Sequence, residues 1–535
     1  MNLRHSLSYH FRISGICLCL SIIISGVLTD ASAAQPQKKA LPTIDEVGAL
    51  RLSPDIAPIK APFAMPVFSM PHFPALSVSI TRYGAKENTL ATRAIQSAID
   101  EVNSRGGGTV VIPAGQWLTG RITLKSNVNL NLAEGAEVHF SGNVADYRPA
   151  VFTRNEGVEV MSLGALIYAN GETNIAVTGK GKLVGPPMDC EVRRQVMKSD
   201  VVENVIAADK PVNERIYEGY NGGPVFLPMF ISPINCKQVY IEGITLERTP
   251  FWNIVPVYCQ NVIIRGITVN SVGIPRSDGI DIESSRDVLI EYSTLNCGDD
   301  CFTMKAGRGE DGLRVNRPTA NVVVRYCLAQ KGHGGITIGS ETASMIRNLY
   351  LHDCVFDRTN IGIRFKTRRP RGGGGENLTM ERIRMNLADG TAITADMLGS
   401  RMFVGELADR LPARAVNRLT PAFRNITIRN IEVDDAAQFV KITGIPESPF
   451  SNFLVENARV QCNKLIKISD AEGLTFRNVD IQSKDPVINL LDVRRLLFDN
   501  VRFELSGHDL ITNSQGNNTS GIRFVNCTPA QPKSR

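Results

Sequence analysis

Four short segments concentrate the side chains able to move protons. Arg276-Ser277-Asp278-Gly279-Ile280-Asp281 carries two aspartates, and Asn296-Cys297-Gly298-Asp299-Asp300-Cys301 carries two more side by side. Gly332-His333-Gly334-Gly335 follows, and then Arg364 and Lys366. Asp-Gly and Gly-Asp pairs are common turn chemistry, so any one segment alone reads as a turn. Adjacent aspartates ask for more. Like charges a few ångströms apart repel, which raises the pKa of one of them. One carboxyl then stays protonated as a general acid while its neighbours remain ionised as bases. Cleavage of a glycosidic bond needs that division of labour.

Something must bring these segments together, and the sequence shows what. An eight-residue unit recurs: apolar, any, apolar, any, turn residue, apolar, any, apolar. Val239-Tyr240-Ile241-Glu242-Gly243-Ile244-Thr245-Leu246 is one copy and Val262-Ile263-Ile264-Arg265-Gly266-Ile267-Thr268-Val269 another. Further copies start at Val288, Val322, Leu349, Leu378, Ile426, Phe453, Leu474, Leu496 and Ile522, most of them 21 to 34 residues apart, with a further candidate at Ile175. Each unit is two short alternating strands. The inward phase shifts between them, so the chain bends. The bend residue is often Gly243, Gly266, Asn430, Asn457, Asn478, Asn500 or Asn526, types that tolerate a left-handed backbone. A strand-bearing period of this length means a solenoid, and the expected fold is an all-β, right-handed parallel β-helix. Residues 89–103 place Ala91, Ala94, Ile95, Ala98, Ile99 and Val102 on one helical face, which predicts a cap on the open N-terminal end.

Stacked coils translate spacing into proximity. Asp300 lies 12 residues after Val288 and His333 lies 11 after Val322, so the two are predicted to be near neighbours. Arg364 and Lys366, 15 and 17 residues after Leu349, fall in the next coil. Cys327, Cys354 and Cys527 share an inward column with Ile244, Ile267, Ile383 and Val501, and read as buried thiols in a ladder. The period breaks twice, near 186–235 and near 386–422. Both breaks predict projecting loops or small subdomains, and residues 392–419 have a helical composition.

In this order, Ser277-Asp278-Gly279-Ile280-Asp281, Gly298-Asp299-Asp300-Cys301, Gly332-His333-Gly334 and Arg364-Phe365-Lys366 resemble the four signature segments of the polygalacturonases, glycoside hydrolase family 28. The likeness extends over about 78–526, including Arg82-Tyr83-Gly84-Ala85. The resemblance implies Asp299 as general acid and Asp278 and Asp300 as bases that activate water from the opposite face, with inversion. It implies that His333 tunes the acid, that Arg364 and Lys366 grip a uronate carboxylate, and that Gly334 lies in the substrate-binding segment. It implies no metal and no cofactor. The substrate would be an acidic pectic polysaccharide, either a galacturonan or a rhamnogalacturonan or substituted relative. The sequence departs from the family at Arg276, where Asn is usual, which opens the neighbouring subsite to a different substituent or an extra grip on acid. It also has Ala329 where fungal members carry a cysteine, so Cys301 lacks that bridge. A calcium-dependent lyase on the same fold and a non-catalytic carbohydrate-binding solenoid are the competing readings.

The remaining features set the context. The 535 residues carry a net charge of +6. There is no dense basic stripe with a recognisable module, so nucleic acid is not an expected partner. Arg4 and Arg12, an apolar run over residues 13–28 and the small residues up to Ala33-Ala34 form a signal peptide over 1–34, which predicts a secreted or periplasmic protein with no membrane attachment after cleavage. Removing Cys17 and Cys19 leaves nine cysteines. Residues 35–77 are proline-rich and read as an extended arm or linker before a single catalytic domain over 78–530. The run Arg368-Arg369-Pro370-Arg371-Gly372-Gly373-Gly374-Gly375 reads as a solvated loop, with a second contact to a polyanion as the alternative.

Overall fold

A computed structural model describes residues 40–195, 201–387 and 389–534. The signal-peptide segment lies outside the described residues. Residues from Leu41 onward form one right-handed parallel β-helix. The repeat read from sequence is the register of the ladder: Val239 pairs with Val262, Val262 with Val288, Val288 with Val322, and Val322 with Leu349. Leu349 then pairs with Leu378, Leu378 with Ile426, Ile426 with Phe453, and Leu496 with Ile522. The copy at Ile175 is real as well, pairing with Val239. Gly243, Gly266 and the five bend asparagines all have positive φ. Asn457, Asn478 and Asn500 also bond amide to amide from coil to coil, at 2.9–3.2 Å. The helix Thr92–Ser104 buries Ala94, Ile95, Ala98, Ile99 and Val102 in the core at the N-terminal end. Cys327, Cys354 and Cys527 are buried, and all nine cysteines among the described residues are free thiols.

Each coil has a third strand that the repeat did not reveal, and this strand makes the functional face. Ile280–Glu283 pairs with Phe302–Lys305, which pairs with the end of Leu328–Ile338. The ladder runs on through Thr359–Lys366, Thr391–Asp396, Gln438–Thr443 and the long Phe450–Glu504. Inward residues of this face are apolar, including Ile280, Ile282, Phe302, Met304, Ile336 and Ile363. Their alternating partners face outward, so Asp281, Thr303, Thr337, Arg364 and Lys366 stand on one surface.

The arm is not a free linker. Residues 56–73 lie across the solenoid, with Ile56, Ile59, Phe63, Met65, Phe68 and Phe73 packed on Ala176, Tyr240, Ile263, Leu289, Val323 and Tyr350. Those last five occupy the second, nominally outward position of five successive units. Arg265 and Arg325, buried beneath the arm, each donate to its backbone at 2.8 Å, to Ser53 O and Ala57 O. The short helix Ile44–Ala49, closed by a Thr43/Glu46 capping box, packs Val47 and Ile44 on Leu328 and Val355.

The excursions also differ from expectation. Residues 391–396, which overlap the start of the stretch of helical composition, are a strand whose Thr391 pairs with Ile361 and Gln438. Ile393 and Ala395 alternate inward, and pairing with two flanking coils overrides a local helical preference. Helix is confined to Arg401–Val404 and a 3-10 turn at Gly405–Ala408. The earlier excursion ends at Met229–Ile234, a strand paired with Ala165–Asn170. An antiparallel hairpin, Val151–Asn155 with Val158–Ser162, precedes it. Among the described residues no helix is long and apolar enough to cross a membrane.

Candidate active site

The four segments meet on the third-strand face. Asp300 is fully buried, and its two oxygens take Arg364 Nη1 at 3.1 Å and Lys366 Nζ at 3.0 Å. Burial opposes its charge, but Lys366, Arg364 and His333 overcome that and hold the carboxyl well below the usual carboxylate range. Asp299, beside it, is partly open to solvent. Its Oδ1 accepts the Asp300 backbone N–H at 3.0 Å and lies 3.6 Å from His333 Nδ1. Arg364 Nη1 is 3.2 Å from the same His333 nitrogen. Asp300 and His333 are therefore neighbours, as their offsets predict.

Gly334 serves this geometry by lacking a side chain. A Cβ there would stand 2.7 Å from Asp300 Oδ1 and 2.4 Å from Thr337 Oγ1, closer than the carboxylate could tolerate in place. Asp278 is buried at the other side of the cluster. Burial, then Asp281, Asp299 and Asp300, push its carboxyl up, against the pull of Lys305.

Lys305 is the residue that sequence reading missed. Its ammonium, 2% exposed, sits 3.3 Å from Glu341 Oε2, 3.5 Å from Asp281 Oδ1 and 3.6 Å from Asp278 Oδ2, over the Trp252 ring at 4.3 Å. Desolvation alone would favour the neutral amine, but Glu341, Asp281, Asp278 and Asp300 hold the proton on it. Asp281, also fully buried, is pushed up to about 7, first by desolvation and then by Glu283 and Asp300 against Lys305. Alternation alone marks Asp281 and Lys305 as outward and solvated. What buries them comes from elsewhere in the chain.

Arg276 is not a free substrate grip. It lies in a left-handed backbone conformation, its guanidinium 4.6 Å over Phe251 and ion-paired to Glu156 at the hairpin tip. Glu156 also takes Arg308 at 2.9 Å, and Arg308 takes Glu203 of the earlier excursion at 3.1 Å. The hairpin and this excursion thus wall the face from the Asp278 side, Glu203 reaching as far as Arg371 at 3.9 Å. The Arg368–Gly375 run matches neither expectation. Arg369 and Arg371 are buried, paired with Glu447 at 2.5 Å and Glu341 at 3.0 Å, and Arg368 stacks on Phe403 at 4.6 Å. Arg369 and Arg371 read as solvated because their acids lie 78 and 30 residues away.

Asp299, Asp300 and His333 offer donor atoms within 4.8 Å of one another, a span a metal ion could occupy. The electrostatics oppose it. Both Asp300 oxygens already face cations, so a divalent ion would meet Arg364 and Lys366 at contact range. What the arrangement suits is an anionic ligand with a proton donor and a firmly ionised carboxylate beside it.

Residues 221–400 match the model of glycosyl hydrolases family 28. An exo-poly-alpha-D-galacturonosidase of Dickeya chrysanthemi is 26% identical over 433 residues, which covers 75% of this chain and 70% of that one. A polygalacturonase of Ralstonia solanacearum is 24% identical over 381 residues, 65% and 67% of the two chains. Among solved structures, an exopolygalacturonase from Thermotoga maritima superposes with a TM-score of 0.65 at 25% identity, covering 82% of this chain and 94% of that one. A family 28 exopolygalacturonase from Yersinia enterocolitica shares the fold, with a TM-score of 0.63 at 22% identity over 84% and 78%. Fold and matched segment define a glycoside hydrolase. Over residues 221–400 the chain thus resembles the glycosyl hydrolases of family 28, and the relatives and structures it is similar to are polygalacturonases.

Proposed function

We propose that this protein hydrolyses the α-glycosidic bonds of pectic galacturonan from a chain end, with inversion. The observation that carries the reading is the juxtaposition of Asp299 with an Asp300 locked in its ionised form by Arg364 and Lys366. Asp299, the more open carboxyl, donates its proton to the glycosidic oxygen, and His333 at 3.6 Å orients it. Asp300 accepts the proton of the attacking water, and Asp278 shares that water from the opposite side. Of the two, Asp300 is the one whose surroundings favour charge; Asp278 depends on Lys305 for its counter-ion. Arg364 and Lys366 turn partly from Asp300 to the uronate carboxylate, Arg364 in two-pronged fashion and Lys366 as a point charge.

End-wise attack draws support from the wall that the hairpin and the earlier excursion build on the Asp278 side. It also draws support from the exo-acting names of the Dickeya and Thermotoga relatives. The protein is read as secreted or periplasmic, as its N-terminal segment predicts. A panel of homogalacturonan, rhamnogalacturonan and substituted galacturonan, with products resolved over time, tests the reading. Mono- or digalacturonate appearing first from homogalacturonan is the expected result. An early ladder of mid-length oligomers would overturn end-wise attack, and hydrolysis of rhamnogalacturonan alone would overturn the substrate.

A further inference from the structure

The face that carries the aspartates does not end at Arg364. Register carries the Arg364 position to Thr394, then to Lys441, then to Lys467. Lys464 pairs with Gln438 on the same two strands. At about 4.8 Å per coil, Lys441 and Lys467 stand roughly 10 and 14 Å beyond Arg364 along the solenoid. The three lysines are exposed and line one open groove, with Gln438, Asn489 and Asp485 at its edge. The Asp485 Oδ1 accepts its own turn's Val487 N–H at 3.1 Å.

Two features of these lysines bear on a ligand. First, none of the three has an ion pair or side-chain hydrogen bond among the described residues. Arginines of the neighbouring coils do: Arg410 with Asp470 at 2.6 Å, Arg477 with Asp499 at 3.1 Å, and Arg459 with Glu432. Second, Lys441 and Lys467 are directly paired on adjacent strands. Like charges placed opposite one another in a ladder destabilise it. A fold that pairs most of its charges elsewhere but leaves this repulsion standing has a place for an anion there. Between the cluster and the lysines the strand presents Thr391 and Thr394, with the exposed Asp396 at its end, in register with Lys366, its Oδ1 accepting the Leu398 and Gly399 N–H groups. The later excursion does not interrupt the path, since its Arg410 is tied to Asp470 and Asp492, past the far end of the same strands.

We propose that Lys441, Lys464 and Lys467 form a second binding strip for a polyuronate, holding the length of the chain that runs on beyond Arg364 and Lys366. The inference rests on the galacturonan reading of the site. The strip offers several carboxylates at once a row of cations in line with the cleavage point. A chain bound at both places is held by effective concentration as well as by affinity. The wall stands on the Asp278 side and the strip on the opposite side, so a polymer end enters against the wall while its body lies on the lysines.

The test is the triple variant K441Q/K464Q/K467Q, compared with the parent chain on polygalacturonate and on digalacturonate or trigalacturonate. The expected result is a KM for the polymer raised about tenfold at low ionic strength, with kcat unchanged. The short oligomers should show no change, and the difference on polymer should fade above about 0.5 M salt. Thermal unfolding of the triple variant should be unchanged or slightly higher, since a repulsion is removed. An unchanged KM for the polymer, or an equal loss on short and long substrates, would overturn the strip. To separate the strip from the catalytic reading, polygalacturonate binding is also measured in the Asp299→Asn background with and without the three lysines. A tenfold weaker Kd without them supports the strip even if hydrolysis proves to need another acid. Equal Kd values, or equal affinity for a neutral galactan, would refute it.

Discussion

Replacing Lys305 with Met isolates the buried charge network from the residues that touch substrate. Met keeps the length and the apolar stem, and loses the ammonium that faces Glu341, Asp281 and Asp278 at 3.3–3.6 Å. Glu341 keeps Arg308 and Arg371, each at 3.0 Å, so the loss falls on the two aspartates. Removing one partner of a buried pair costs about 3–5 kcal/mol. Protonation limits that cost, because a carboxyl can escape its charge at about 1.36 kcal/mol per pH unit between pKa and pH. Asp281 is already pushed up to about 7, and without Lys305 it moves higher. A carboxyl raised above its unfolded value of 3.8 contributes stability that is full below that value and lost as pH rises through the folded pKa. In the parent chain this loss runs from about pH 4 to about pH 7. In Lys305→Met it continues above 7. Denaturant unfolding should therefore show a loss of about 3–5 kcal/mol at pH 8 that shrinks to about 1 kcal/mol at pH 5. The rate profile should move with it: Asp278 ionises later, so the acidic limb of kcat/KM shifts to higher pH. A loss equal at both pH values, together with an unmoved rate profile, would refute the role given to Lys305.

Three further outcomes follow from the geometry. Gly334→Ala places a methyl 2.7 Å from Asp300 Oδ1 and should lower kcat by at least tenfold while costing about 1–3 kcal/mol of stability, read by kinetics and unfolding of one preparation. Glu156→Gln removes a carboxylate shared by Arg276 and Arg308, so the freed Arg276 should lower the KM for galacturonan oligomers; a KM that stays the same would mean that Arg276 does not reach substrate. Phe68→Ala empties part of the arm's packing against the outward stripe and should cost about 3 kcal/mol in denaturant unfolding, whereas a free linker would lose nothing.

The coil architecture was legible because its signal repeats. Each copy from Val239 to Ile522 restates the same alternation, and parallel stacking turns offsets of 12 and 11 residues into the closeness of Asp300 and His333. The third strand was not legible: Ile280-Asp281-Ile282 and Phe302-Thr303-Met304 lie at varying distances from the repeat, after loops of unequal length. The arm left a signal that went unread. In Tyr240, Ile263, Leu289, Val323 and Tyr350 the outward position is apolar in five successive units, then turns to threonine at Thr379 and Thr427, which marks where a covering segment stops. Lys305 and Arg371 were beyond reach for another reason. A buried cation is recognisable only by its acids, and Glu341 lies 36 and 30 residues from the two, in a different coil. The same limit hid Arg276's tie to Glu156, because the hairpin that supplies Glu156 stands outside the repeat.

The most direct test of the account is the release of reducing ends from polygalacturonate by the parent chain and by Asp299→Asn, with absorbance from unsaturated products followed in parallel. Hydrolysis by the parent without unsaturated product is expected, with a loss of about 10²–10⁴-fold in the variant, whose circular dichroism and unfolding stay those of the parent. Retained hydrolysis in Asp299→Asn, or an unsaturated product that a chelator abolishes, would contradict it.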